Sequence, residues 1–199
     1  MTILDLSRTD SFRALVFACC IVAVLFVDTS TNVAMSEEAT KEETIEYITR
    51  QFTRHANACH FYKSTGSYGE LSISPSGVMR WSETLTSFPN EGRVNKFVYQ
   101  YEANVSDFDL NEIEIEKVCS GDRRLNGVRL WCLSGECISE TRYTHFRAHV
   151  EDGRIKKSAD QRKSATLTFP SDKVAESVAK AFRHLIKLYG GKGSKELFD

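Results

Sequence analysis

The chain has 199 residues, enough for one domain and an N-terminal extension. Apolar residues make up 41% and charged residues 27%, an ordinary globular balance that excludes a fibrous or wholly disordered chain. A formal net charge of −1 gives no electrostatic reason to expect nucleic acid as a partner.

The first 34 residues stand apart. Arg8 and Arg13 precede an uncharged apolar run, Ala14 to Val27, and the small polar stretch DTSTNVA follows. This is the three-part layout of a secretory signal. At 1.5 Å per residue the run would span about 21 Å, short of the roughly 30 Å hydrocarbon core of a bilayer. Cleavage after Ala34 is therefore expected, with export to the periplasm or the extracellular space. A retained anchor at residues 14–27, helped by bilayer thinning and a snorkelling Arg13, is the alternative. A true start at Met35 is the third reading. Membrane contact is expected only through this segment.

Removing residues 1–34 leaves Cys59, Cys119, Cys132 and Cys137. In an oxidising compartment these can form two disulfides, with three possible connectivities. Cys132 and Cys137 flank LSGE, which reads as a hairpin that brings them together. Cys59 with Cys119 follows by elimination.

Residues 35–59 read as an acidic linker running into an amphipathic helix from about Lys41 to Ala58. Ile45, Ile48 and Phe52 fall at helical spacing, and Thr40 or Ser36 is placed to cap it. Residues 60–191 read as strand-rich. His60–Lys63 is short and aromatic. Glu70–Ser74 and Val78–Leu85 make a hairpin about Pro75-Ser76-Gly77. Phe88–Gly92 is a loop, and Val94–Ala103 alternates with Phe97, Tyr99 and Tyr101 on one face. Val105–Leu110 reads as a linking loop. Glu112–Val118 has strict period two, with Ile113 and Ile115 inward, and Ser120–Gly127 is a charged turn. Val128–Leu133, Cys137–Thr141, Tyr143–Glu151 and Ala165–Phe169 complete about seven strands. Asp152–Ser164, with the cations Arg154, Lys156, Lys157, Arg162 and Lys163, reads as a solvated loop.

A long helix closes the domain. Val174, Val178, Phe182, Leu185, Ile186 and Tyr189 form one apolar stripe. Ser171 or Asp172 is the expected cap, and Gly190-Gly191 the stop. Residues 192–199 are a tail.

This order predicts an α+β fold: an N-terminal helix, antiparallel strands in a curved sheet or partly open barrel, and a C-terminal capping helix. The runs EIEIEKV, GVRLWCLSGECI, ATLTF and SDKVAESVAKAFRHLIKLYGG resemble small exported bacterial proteins of an uncharacterised family. The order also resembles a pleckstrin-homology-like barrel with its C-terminal helix. The resemblance covers about Cys59 to Gly191 and implies a fold, not an activity.

No catalytic signature stands out. His145 and His149 have zinc-chelating spacing only on a helix; on a strand they are about 13 Å apart. His60 and His184 have no spacing that joins them to Cys119. The separation of Cys132 and Cys137 suits a structural disulfide better than a redox pair. Gly66-Ser67-Tyr68-Gly69 is a loop signal, because no helix follows it to make a phosphate cradle. Asn104-Val105-Ser106 is a glycosylation sequon, relevant only in a eukaryotic secretory path. Trp81, Phe97, Tyr99, Tyr101 and Trp131 could line a ligand face.

The reading these residues support is a non-catalytic exported module of the cell envelope, binding a protein or a small apolar ligand, with no cofactor or metal. The alternatives are an enzyme with a cone-shaped pocket of the nuclear-transport-factor type, drawing on His60, Glu83, Glu102 or His149, and a structural envelope protein.

Overall fold

Thr40 starts the first helix, α1 (Lys41–His55), with a complete capping box. Its hydroxyl accepts from the Glu43 amide, and the Glu43 carboxylate accepts from the Thr40 amide at 2.8 Å. Hydrogen bonding to the carboxylate from the Thr40 amide first, and from the Thr40 side chain second, holds the Glu43 carboxyl below its usual range. Ile48 and Phe52 are buried as the apolar spacing requires, and the helix ends three residues before the expected Ala58.

The structure is a computed structural model describing residues 39–59, 64–89, 93–119, 125–146 and 154–194. The expected signal or anchor at 1–34, the strand at 60–63 and most of the turn from Ser120 lie outside the described residues, as does the tail beyond 194. The described part is α+β, with nine antiparallel strands in two sheets rather than about seven in one curved sheet.

The larger sheet comprises β1 (Ser64–Tyr68), β2 (Ser72–Ile73), β3 (Val78–Ser87), β4 (Asn95–Asn104), β7 (Ile138–His145) and β8 (Ile155–Arg162). Its order is β1-β3-β4-β7-β8, with β2 paired to β3. The smaller sheet is β5-β6-β9, from β5 (Phe108–Val118), β6 (Leu125–Cys132) and β9 (Ser164–Phe169). Two places carry the chain directly between sheets. A 3-10 turn at Val105–Asp107 links β4 to β5, and Lys163 alone separates β8 from β9.

Several expectations are corrected. Residues 155–162 form edge strand β8 rather than a solvated loop. Its backbone pairs with β7 along its whole length while its side chains stay mostly exposed. Gly66–Tyr68 belongs to β1, where Gly66 is needed because a Cβ would stand 2.8 Å from the Cys59 carbonyl oxygen. Strand β5 begins at Phe108, inside the expected loop. Residues 138–145 form one strand instead of parts of two. Ile113 is buried, but Ile115 is 41% exposed. Cys132 and Cys137 do not flank a hairpin, because β6 and β7 belong to different sheets. The bridge spans a corner, where Gly135 takes φ +60° and Leu133 donates to the Asp107 carbonyl.

The closing helix, α2 (Asp172–Leu188), has Ser171 as its cap. Val178, Phe182, Leu185 and Ile186 are buried, joined by Ala175, Ala179 and Ala181. They pack with Phe108, Val128, Leu130, Leu167 and Phe169 from the smaller sheet and with Met79, Trp81 and Ile138 from the larger. Gly190, at φ +74°, ends the helix, and the Gly191 amide donates to the Ile186 carbonyl.

Two disulfides join Cys59 to Cys119 and Cys132 to Cys137, as expected. They accord with an oxidising, exported environment. Among the described residues no helix is long and apolar enough to cross a membrane.

Candidate functional site

Strand alternation decides which side chains meet. In β3 and β4, Met79, Trp81, Glu83 and Leu85 pair with Ala103, Tyr101, Tyr99 and Phe97, so these eight share the inner face of the larger sheet. Tyr101 pairs with Glu140 on β7, which adds that carboxylate to the same face. At Met79 and Ala103 this face joins the hydrophobic core that also holds the buried stripe of α2, and a polar cleft lies beside Trp81, Glu83 and Tyr101.

The cleft has a volume of about 260 Å³ and runs between this face and β9. Trp81 and Tyr101 form its floor, stacked with ring centroids 4.9 Å apart, and Tyr99 continues the stack 6.3 Å beyond. Glu83, Glu140 and Arg162 supply the charge, and Ser164 and Thr166 line the β9 side. Glu140 is only 5% exposed and is held by a two-pronged ion pair: Arg162 Nε donates to Oε2 at 3.0 Å and Nη2 to Oε1 at 3.1 Å.

Among the described residues Glu83 has no such partner. Burial, and secondarily the charge of Glu140, push its carboxyl above the usual carboxylate range. Tyr101 is pushed well up by burial first and then by the charges of Glu83 and Glu140. Tyr68, behind them, rises to about 12, mainly through burial, and its hydroxyl bonds with the Thr168 hydroxyl at 3.2 Å. The arrangement is one surplus carboxylate above an aromatic floor. Such a site can hold a proton on Glu83 or receive a cation with a flat or apolar flank.

The outer face of the same sheet carries a second, larger groove of about 580 Å³, open and polar, lined by Glu70, Ser72, Arg80, Ser82, Gln100 and Glu102 among others. Its two most prominent charges neutralise each other, with Arg80 Nε 2.6 Å from the Glu102 carboxylate.

Four residues were candidates for an enzymatic pocket. Glu83 enters the inner cleft, whereas Glu102 lies on the opposite face, so these two do not converge. His60 and His149 lie outside the described residues. His145 pairs with Lys96 and Ile155 near the end of the sheet. His184 bonds the Ala39 carbonyl at 2.7 Å, tying α2 to the start of α1. Among the described residues no cluster of three or more His, Cys, Asp or Glu is placed to hold a metal.

The aromatic candidates separate as well. Trp81, Tyr99 and Tyr101 line the cleft region, with Phe97 further along the same face. Trp131 belongs to the smaller sheet, where its indole donates to Glu114 at 3.1 Å and Arg129 lies over its ring. The sequence reading missed Glu140 and Arg162. The available signal was the phase of ISETR: a period-two strand puts Glu140 on the same face as buried Ile138. A search of family models, of curated proteins and of solved structures finds nothing that matches this chain.

Proposed function

We propose that this chain is a non-catalytic exported module that binds a protein partner, and that the inner cleft receives a basic side chain of that partner. One observation carries the reading. Glu83 is a half-buried carboxylate with no cation of its own among the described residues, set beside a neutralised Glu140–Arg162 pair and above the Trp81–Tyr101 stack. An entering guanidinium or ammonium would neutralise it and lie along the aromatic face.

Size favours a protein over a free small ligand. A cleft of about 260 Å³ falls below the roughly 300–1,000 Å³ of pockets that bury drug-sized molecules, but suits one long side chain. An apolar ligand has less in its favour, since Phe108, Phe169, Phe182, Leu185 and Ile186 fill the interior where a barrel mouth would open. The disulfides support export, and the envelope is the compartment we assign.

Titration with Gly-Arg-Gly, followed by the Trp81 indole N–H resonance, tests the site. The arginine peptide should shift the signal, its citrulline counterpart should not, and Glu83→Gln should weaken the response about tenfold. Equal response to both peptides would remove the cation reading. For export, the native protein should have a mass beginning near Met35, with Cys59, Cys119, Cys132 and Cys137 closed to alkylation until reduced.

A further inference from the structure

We infer that the end of the larger sheet where β3 meets β4 and β7 meets β8 docks on an anionic lipid surface. This rests on residues outside the inner cleft and does not depend on what the cleft binds. Among the described residues four large apolar side chains are well exposed. Three of them, Phe88 at 42%, Phe146 at 43% and Ile155 at 64%, belong to this end.

Register places them together. Ser87 pairs with Asn95, Lys96 with His145, and His145 with Ile155, so the strand ends form one row across the sheet. Phe88 follows directly after β3. Phe146 follows β7 and donates its amide to the Arg154 carbonyl at 3.0 Å.

Among the described residues the charge at this end has one sign. Arg93, Lys96, Arg154, Lys156 and Lys157 lie in or beside these rows. The described segments 64–67, 84–89, 93–98, 143–146 and 154–157 contain no aspartate or glutamate. None of the five cations takes part in the ion pairs found among the described residues. Lys157 lies over the Tyr143 ring, 5.7 Å from its centre. The two connecting segments add Glu91, Glu151 and Asp152 against Arg147, which leaves the end basic.

The hydrophobic core does not need these residues, since its members on β3 stop at Trp81. A soluble acidic partner would satisfy the cations alone. A bilayer surface satisfies both features: Phe88, Phe146 and Ile155 enter the acyl boundary while the long cations reach lipid phosphates. Each Lys or Arg near an anionic surface contributes about fivefold in affinity.

The test uses the full chain carrying Phe146→Trp, with wild type as the emission baseline. Vesicles of phosphatidylcholine alone are compared with vesicles of equal parts phosphatidylcholine and phosphatidylglycerol. Emission from the new tryptophan should shift to the blue and be quenched by brominated acyl chains only with phosphatidylglycerol, and raised salt should reverse both effects. Adding Lys156→Glu and Lys157→Glu should lower the apparent vesicle affinity at least about tenfold with an unchanged circular dichroism spectrum. These side chains are exposed, so folding should survive. The idea is overturned by an equal response to both vesicle types, by no response to either, or by indifference to the charge reversal. Indifference is also the result expected if residues 14–27 alone held the chain to the membrane. A shift with soluble polyglutamate but not with vesicles would instead assign the patch to an acidic protein.

Discussion

Glu83 sits on a strand whose neighbouring inward residues are apolar or aromatic, and it carries a cost that can be read against pH. Its folded-state pKa is raised from an ordinary value of 4.5. The unfolded chain therefore releases this proton first, and stability is lost as pH rises through the raised folded value. Glu83→Gln should leave thermal stability nearly unchanged below the ordinary carboxylate pKa and raise it relative to wild type above the folded one. Melting curves at several pH values check this; a constant offset at every pH would deny the burial. Gly77 is the other residue with a sharp forecast. It adopts φ +89°, and a Cβ there would meet the Tyr189 ring at 3.0 Å. Gly77→Ala should cost about 1–3 kcal/mol in urea unfolding. Pro75-Ser76-Gly77 was readable as a turn because its chemistry is local. The pairing of Glu140 with Arg162 was not readable, because it depends on which strands become neighbours.

At the scale of elements, both helices were legible within a few residues. Caps, apolar spacing and glycine stops are all written within one turn of where they act. Ser171→Ala should cost about 1 kcal/mol through the lost cap, and Phe182→Ala about 3–5 kcal/mol through the cavity it leaves. Chemical denaturation that found the two equal would mean that α2 is not held by its buried stripe. Strand β8 escaped the reading for a physical reason. Edge strands need only one paired side and no buried face, so IKKSADQR shows neither alternation nor a run of β-branched residues. Ile115 shows the converse: its alternation with Ile113 was sound, but the interior extends only as far as Ile113 on that strand.

For the molecule as a whole, the two disulfides should differ in weight. Cys59–Cys119 closes a separation of 60 residues and Cys132–Cys137 one of 5. Loop-closure entropy gives about 4 kcal/mol for the first and about 2 kcal/mol for the second. Paired serine substitutions followed by urea unfolding should reproduce that order. The fold class and both cysteine pairs were legible in the sequence, whereas the division into two sheets was not. No residue type at 104–108 or 162–164 marks where the chain leaves one sheet for the other: a short 3-10 turn makes the first crossing and a bend at Lys163 the second, and only the pairing partners tell the two sheets apart.

That crossing has a mechanical meaning. The Cys132 amide donates to the Lys163 carbonyl at 2.8 Å, so the smaller disulfide sits against the one residue that separates β8 from β9. Arg162 and Ser164, on either side of Lys163, belong to opposite walls of the cleft. The bridge braces that corner directly, with Cys132 Sγ 3.5 Å from the carbonyl oxygen of the cleft residue Arg162, so opening it should loosen the joint at Lys163 where the two walls meet.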